Sequence, residues 1–80
     1  MDCIALARAR INRGMNKAEV SKKAGYRGDA YYKKERGFTS VTIKDAVAIS
    51  NALNLNFREF VDIFFDGKLP ISNFDGDIIG

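Results

Sequence analysis

Residues 15–37 read MNKAEVSKKAGYRGDAYYKKERG, and this stretch decides the fold of the chain. Asn16 and Glu19 stand three residues apart before an apolar pattern, which is the spacing of a capping box. They predict a helix that begins at about Lys17. Gly25 follows a small residue and can adopt the left-handed conformation that ends a helix. The stretch therefore predicts two short helices joined by a tight, glycine-centred turn.

The second of these helices ends with the Glu-Arg-Gly sequence of residues 35–37. We take Tyr31 as its inward aromatic residue, which turns Tyr32 outward, but two adjacent tyrosines leave open which of them packs inward. Gly28 costs about 1 kcal/mol relative to alanine if it lies inside the helix. Asp29 is a candidate N-cap that would shift the helix start by one or two residues. The two helices and their turn have the pattern of a helix-turn-helix.

The segment before this stretch predicts another helix over residues 3–13. Ile4, Ala7 and Ile11 recur there at helical spacing, and the arginines of the segment are expected on its other side. Arg10 lies near the start of the following helix. For this arginine, a phosphate contact and an ordinary solvated charge both remain open.

Two more helices are expected after the stretch. Thr42 with Asp45 and Asn56 with Glu59 repeat the capping-box spacing, so the helices begin at about residues 43 and 57. Asn54 is the candidate left-handed stop of the first of them. No strand alternation, internal repeat or low-complexity tract occurs in the chain. The fold class predicted from these patterns is all-α, with five helices.

The motif and the later segment together resemble the Xre/Cro repressor family over about residues 4–65. Within the motif, the positions that carry the resemblance are Asn16, Lys17, Val20, Ser21, Gly25, Tyr31, Glu35 and Gly37. Residues 48–60, AISNALNLNFREF, look like the family's Ile-Ala-x-Ala-Leu-x-Val-x-x-x-x-Leu segment. The resemblance implies a compact five-helix, Cro/repressor-like domain that binds DNA. Lys34 departs from a usually apolar position, and Gly28-Asp29 departs from a Ser-rich helix start.

Composition restricts the functions that this chain can have. The 80 residues include no histidine and a single cysteine, which removes nearly all zinc sites, histidine-dependent nucleophilic pairs and any intramolecular disulfide. No apolar run approaches the roughly 20 residues that span a bilayer. We therefore expect a cytoplasmic protein that is not an enzyme and has no cofactor, metal or membrane partner. Its domain is expected at residues 1–69, followed by a tail at residues 70–80.

The charge of the chain is distributed unevenly. Residues 1–40 hold ten Lys/Arg against four Asp/Glu, a net charge of +6, and residues 41–80 hold three against six, a net charge of −3. The two halves sum to the +3 of the whole chain. The basic half contains the helix-turn-helix, as a surface that faces phosphates requires.

The second helix of a helix-turn-helix lies in the major groove, where the residues near its start meet base edges. The DNA-binding candidates are the outward residues of the motif and of the loop after it: Lys17, Arg27, Gly28, Asp29, Tyr32, Lys33, Arg36, Thr39 and Ser40. Arg27 suits a forked contact with guanine, and Asp29 suits a hydrogen bond from cytosine N4. Lys33 and Arg36 suit phosphates. For each basic residue a solvated charge is the alternative, and for Asp29 it is a purely structural cap.

Two functions fit these patterns. The first is a sequence-specific, double-stranded DNA-binding repressor of the phage or mobile-element type, which acts as a homodimer. Ile63 and Phe65 give the last helix more apolar surface than one inward face absorbs, so they are the self-association candidates. The alternative is an antirepressor or antitoxin-like protein that binds another protein, such as a repressor. Asp29 favours this alternative, because an acidic residue suits a partner's basic surface better than DNA.

Overall fold

The computed structural model describes residues 1–67, and these form five helices and no strand. The helices are α1 (Cys3–Asn12), α2 (Lys17–Ala24), α3 (Ala30–Glu35), α4 (Ile43–Leu53) and α5 (Phe57–Phe64). The all-α, five-helix prediction is confirmed. The predicted tail at residues 70–80 and its boundary lie outside the described residues.

Three helices begin at the capping boxes that the sequence predicts. At the start of α2, the Glu19 amide donates to Asn16 Oδ1 (2.8 Å), and the Asn16 amide donates to Glu19 Oε1 (2.9 Å). The same reciprocal hydrogen bonds begin α4 at Thr42 with Asp45 and α5 at Asn56 with Glu59. Each box satisfies two amides that have no partner within the helix, and a cap of this kind contributes about 1 kcal/mol.

Left-handed residues end α2 and α4. Gly25 has a φ of +85° after α2, and Asn54 has a φ of +56° after α4. The amide of Tyr26 donates to the carbonyl of Ser21 (2.9 Å), which closes the end of α2 and starts the turn toward α3. Both helix ends agree with the sequence prediction, because their conformation depends on residues that are close in the chain.

The core is built from all five helices. Its buried members are Leu6, Ala9, Val20, Tyr31, Ala46, Ile49, Leu53, Ile63 and Phe64. The Tyr31 side chain is fully buried, as predicted, and Tyr32 is turned to the surface. This arrangement fixes which side of α3 faces solvent.

The predicted inward stripe of α1 is wrong. Leu6 and Ala9 are the buried residues of this helix, whereas Ile4 is 68% exposed and Ile11 is 61% exposed. Ala7 is half-buried. The helix is therefore turned so that the side carrying two of its arginines faces the rest of the domain.

Ion pairs explain this orientation of α1. Arg10 Nε lies 2.8 Å from Glu35 Oε1 on α3, and Arg13 Nη2 lies 2.7 Å from Glu59 Oε1 on α5. The Asn56 backbone hydrogen bond and then the Arg13 side chain hold the pKa of the Glu59 carboxyl below its ordinary value. Arg13 directly follows the last residue of α1 and stands three positions after Arg10, so the two side chains leave the same side of the helix.

The prediction that Ile63 is spare apolar surface is also wrong. Ile63 is 4% exposed and belongs to the core, whereas Phe65 is half-buried. The prediction assumed one inward face, but α5 packs against both α1 and α4. The Asp2 amide donates to the Ile63 carbonyl (2.7 Å), which joins the start of α1 to this side of α5.

Candidate nucleic-acid interface

The turn between α2 and α3 depends on two glycines. Gly25 and Gly28 have φ values of +85° and +57°, and neither has an atom within 4 Å of the position that a Cβ would occupy. The backbone conformation, rather than lack of space, is therefore what requires glycine there. Gly28 lies before the start of α3, so the cost of a glycine inside a helix does not apply to it.

Asp29 occupies the position before α3 but does not cap it. Its side chain makes no hydrogen bond to the helix amides. The carboxylate is 70% exposed and lies 3.7 Å from Lys33 Nζ, one turn further along. An exposed pair of this kind contributes only about 0.3–0.5 kcal/mol. The structural cap considered for Asp29 is therefore wrong, and its charge stays at the surface.

A buried hydrogen-bond network holds the inward side of α3. Tyr31 Oη donates to Glu35 Oε1 (2.7 Å), and Arg10 donates to both carboxylate oxygens (2.8 and 3.2 Å). Arg10 also donates to the carbonyl of Met15 (3.0 Å), just before α2. The hydrogen bond from Arg10 to Glu35 raises the pKa of the guanidinium, and burial followed by the Glu35 hydrogen bond raises the pKa of the Tyr31 hydroxyl.

This network changes the expected role of Arg10. Its side chain is only 11% exposed, and its guanidinium is already bound to Glu35 and to a carbonyl. A phosphate contact through this group would compete with those partners. Arg10 therefore holds α3 in place. It is neither the phosphate contact nor the solvated charge that the sequence left open.

A second network ties α3 and its following loop to α4. Tyr26 Oη donates to Asp45 Oδ1 (2.6 Å), and Lys34 Nζ lies 3.4 Å from Asp45 Oδ2 and donates to the Ser40 carbonyl (3.0 Å). Burial alone would raise the pKa of Asp45, but hydrogen bonds from Tyr26 and Thr42 and the Lys34 charge lower it to about 2. Lys34 is thus accommodated by polar partners at a position where the family resemblance predicts an apolar residue.

The predicted DNA-binding residues lie on α2, the turn after it, α3 and the loop that follows α3. Lys17 is half-buried, and the other eight candidates, Arg27, Gly28, Asp29, Tyr32, Lys33, Arg36, Thr39 and Ser40, are exposed. Lys17 Nζ lies 5.7 Å from the centre of the Tyr32 ring, so the start of α2 touches the outer side of α3. The Arg36 guanidinium lies 4.8 Å from the ring centre of Phe38.

The charge of this surface is strongly positive. Residues 17–36 contain seven Lys/Arg and three Asp/Glu, a net charge of +4. Each acidic group already has a partner: Glu35 pairs with Arg10, Asp29 lies near Lys33, and Glu19 belongs to a capping box. The exposed cations of α2 and the turn form no ion pair within residues 1–67; they are Lys22, Lys23 and Arg27.

Sequence reasoning missed Phe38, which is 67% exposed and lies beside the Arg36 guanidinium. A large apolar residue directly after the helix-ending Gly37 was the available signal.

Across the described helices, none is long and apolar enough to cross a membrane. Within residues 1–67, no three side chains of the metal-binding types converge on one point.

Comparison with known protein families gives a match. A sequence model of the helix-turn-helix family matches residues 6–60, which is more than half of the chain and runs from α1 into α5. The comparisons with curated proteins and with solved structures return no match.

Proposed function

This chain belongs to the helix-turn-helix family, and we propose that it is a sequence-specific, double-stranded DNA-binding repressor of the phage or mobile-element type. One observation carries the proposal. The inner side of α3 is held by the buried Tyr31–Glu35–Arg10 network, while its outer side presents Tyr32 and Lys33 to solvent. A rigid helix with a basic outer side is what major-groove recognition requires.

Position along the motif assigns a role to each candidate. Arg27 and Tyr32, at the turn and the first turn of α3, are placed to meet base edges. Lys33 and Arg36 are placed to hold phosphates, and so are Thr39 and Ser40 in the loop that follows. Lys17 stands at the amide-rich start of α2, where an anion is also favoured by the helix dipole. Gly28 and Asp29 lie between these groups: Gly28 lets a base edge approach the backbone closely, and the exposed Asp29 carboxylate can accept a hydrogen bond from cytosine N4.

Lys17 supports the proposal through its contact with Tyr32. A cation over an aromatic face is worth about 0.5–1 kcal/mol at an exposed site. The contact at 5.7 Å restrains both side chains before DNA arrives, which lowers the entropy that binding has to remove. We expect Lys17 to keep the ring in place while its ammonium group reaches a phosphate.

Self-association remains a prediction. Dimerisation would join two half-sites and place two copies of α3 about 34 Å apart on the duplex. Buried Ile63 cannot supply the contact, because it already packs in the core. Phe65 is half-buried, so of the two candidates only this residue keeps apolar surface for a second copy.

One observation favours the alternative, a protein that binds another regulator such as a repressor. The Asp29 carboxylate is 70% exposed and has no capping role, so a negative charge stands in the middle of the basic surface. Such a charge would repel phosphates and attract a basic protein surface. Asp29→Lys separates the two functions: it should raise non-specific DNA affinity in a repressor and disrupt the complex of a masking protein.

A charge-matched pair of variants tests the main proposal. We would select duplexes with the wild-type protein and then measure affinity by fluorescence anisotropy. Arg27→Ala/Lys33→Ala and Arg8→Ala/Arg58→Ala each remove two exposed positive charges, but the second pair lies on α1 and α5.

The first pair should lose most of the binding and lower the salt slope by roughly 0.9 for each phosphate contact removed. The second pair should bind like the wild type, apart from a small general charge effect. If both pairs lose affinity equally, binding reflects net charge and the proposed interface is refuted.

A further inference from the structure

The end of α3 carries an apolar group that the proposed contacts do not use. Phe38 follows the helix-ending glycine, is 67% exposed, and stands between the candidate phosphate ligands Arg36 and Thr39. An isolated exposed phenylalanine is not unusual. Its backbone restraint and its charged surroundings distinguish it from the other exposed apolar residues.

The backbone at this point is held by hydrogen bonds and by packing. The Phe38 amide donates to the Lys33 carbonyl (2.8 Å), and the Gly37 amide donates to the Lys34 carbonyl (3.0 Å). Gly37 has a φ of +79°, and a Cβ there would lie 3.1 Å from Cys3 Sγ on α1. This is the Schellman arrangement, so the direction in which the phenylalanine leaves the helix is fixed.

The ring does not take the position that this kind of helix end usually provides. Ordinarily the residue after the glycine packs an apolar side chain onto the last turns of the helix. The helix residue that accepts the Phe38 amide is Lys33, which is basic and 51% exposed. Phe38 therefore projects into solvent from a rigid backbone. Exposing its apolar ring to water costs free energy, and binding to a partner would remove that cost.

The surroundings of the ring indicate what that partner is. The Arg36 guanidinium lies 4.8 Å from the ring centre, and Lys33 and the hydroxyls of Thr39 and Ser40 are close in the chain. A partner has to offer an anion to the cation and a carbon-hydrogen surface to the ring within a few ångströms. A nucleotide in duplex DNA offers both, because a phosphate adjoins a deoxyribose and, at thymine, a methyl group.

We propose that Arg36 and Phe38 form one contact with a single stretch of DNA backbone, in which Arg36 binds the phosphate and Phe38 packs on the carbon-hydrogen surface of the adjoining nucleotide. The inference rests on the proposed DNA-binding function. It adds an affinity contribution that salt does not screen. It also extends the footprint beyond the bases that the start of α3 reads.

The test compares two phenylalanines of equal exposure. Phe38 and Phe57 are each 67% exposed, but Phe57 opens α5 and lies outside the candidate interface. On a duplex selected by the wild type, Phe38→Ala should lower affinity about tenfold, the effect of burying roughly half of a phenylalanine side chain. Phe38→Leu should recover part of the loss, and Phe57→Ala should bind like the wild type.

Salt and thymine analogues identify the contact. Phe38→Ala should leave the slope of log K against log salt unchanged, whereas Arg36→Ala should reduce it by about 0.9. Replacing the operator thymines by deoxyuridine removes the methyl groups. If the ring packs on thymine, this change weakens the wild type and leaves Phe38→Ala unaffected, and if it packs on deoxyribose, neither protein responds.

Three results would overturn the inference. Phe38→Ala binding within twofold of the wild type would show that the ring makes no contact, and an equal loss with Phe57→Ala would show a general effect of removing apolar surface. In both cases the proposed DNA binding would survive. A wild type that binds no duplex would overturn the proposed function and this inference together. Circular dichroism checks that each variant is folded.

Discussion

Breaking the buried network behind α3 should cost much of the stability of this domain. Glu35 is 5% exposed and accepts hydrogen bonds from Tyr31 (2.7 Å) and from two nitrogens of Arg10 (2.8 and 3.2 Å). Replacing it by methionine leaves a guanidinium and a hydroxyl buried without that partner. Removal of one member of a buried ion pair costs about 3–5 kcal/mol.

That loss is large on the scale of a small domain. At about 0.05–0.15 kcal/mol per residue, a chain of this length has only about 4–12 kcal/mol of stability. A change of 1 kcal/mol shifts the Tm of such a domain by about 4–8 °C. We therefore expect Glu35→Met to lower the Tm by about 12 °C or more, and to unfold the domain at 37 °C if its initial stability is at the low end.

A double-mutant cycle gives the assay. Arg10→Met, Glu35→Met and the combined variant would be unfolded in urea and followed by circular dichroism. Each single change should cost about 3 kcal/mol or more, while the double variant should cost clearly less than the sum, because it leaves no unpaired charge. Additive losses, or single losses below about 1 kcal/mol, would refute the conclusion that the pair is buried and coupled.

Three other predictions follow from the same geometry. The pKa of Asp45 is lowered from 3.8 to about 2 in the folded domain. The stabilisation from its carboxylate is therefore complete above the pKa of the unfolded chain and is lost as the pH falls through the pKa of the folded domain. Between those two pKa values, Asp45→Asn should lose less stability than the wild type in acid titrations of unfolding. Gly25→Ala should destabilise the domain by about 1 kcal/mol in urea, since φ is +85° although the site has space. Lys33→Ala should weaken binding to all duplexes alike, whereas Arg27→Ala should also relax preference at one base pair, as a comparison of single-base operator variants would reveal.

The helix boundaries could be predicted because their causes are local. Each capping box joins residues three positions apart, and the left-handed stops at Gly25 and Asn54 depend on their own conformational preferences. The motif favours Tyr31 as the inward residue and leaves the adjacent Tyr32 as an alternative, and the buried Tyr31 ring decides between them. That choice sets which side of α3 is exposed, so most of the candidate interface could be identified from the chain alone.

The orientation of α1 and α5 could not be predicted from periodicity. Arg10 and Arg13 lie on the inward side of α1 because their partners, 25 and 46 residues away in the chain, are on other helices. Ile63 is buried because α5 has two neighbours rather than one. Both errors arise from long-range contacts that outweigh the local apolar pattern.

Three details of the interface also depend on geometry that the sequence pattern does not contain. The missing cap at Asp29 depends on the path of the turn, and the contact of Lys17 with Tyr32 depends on the angle between α2 and α3. Phe38 is apolar, and composition alone would place it in the core. Its exposure reflects Lys33, a basic and exposed residue at the position where this kind of helix end usually provides an apolar partner.

The central claim is that the chain reads a DNA sequence through the outer side of α3. The most direct test is the affinity of the wild type for its selected duplex relative to a scrambled duplex of equal length and composition, measured at one salt concentration. A sequence-specific repressor should prefer the selected duplex by about 10³-fold or more. Equal affinities for the two duplexes would contradict the claim, and so would the absence of binding to either.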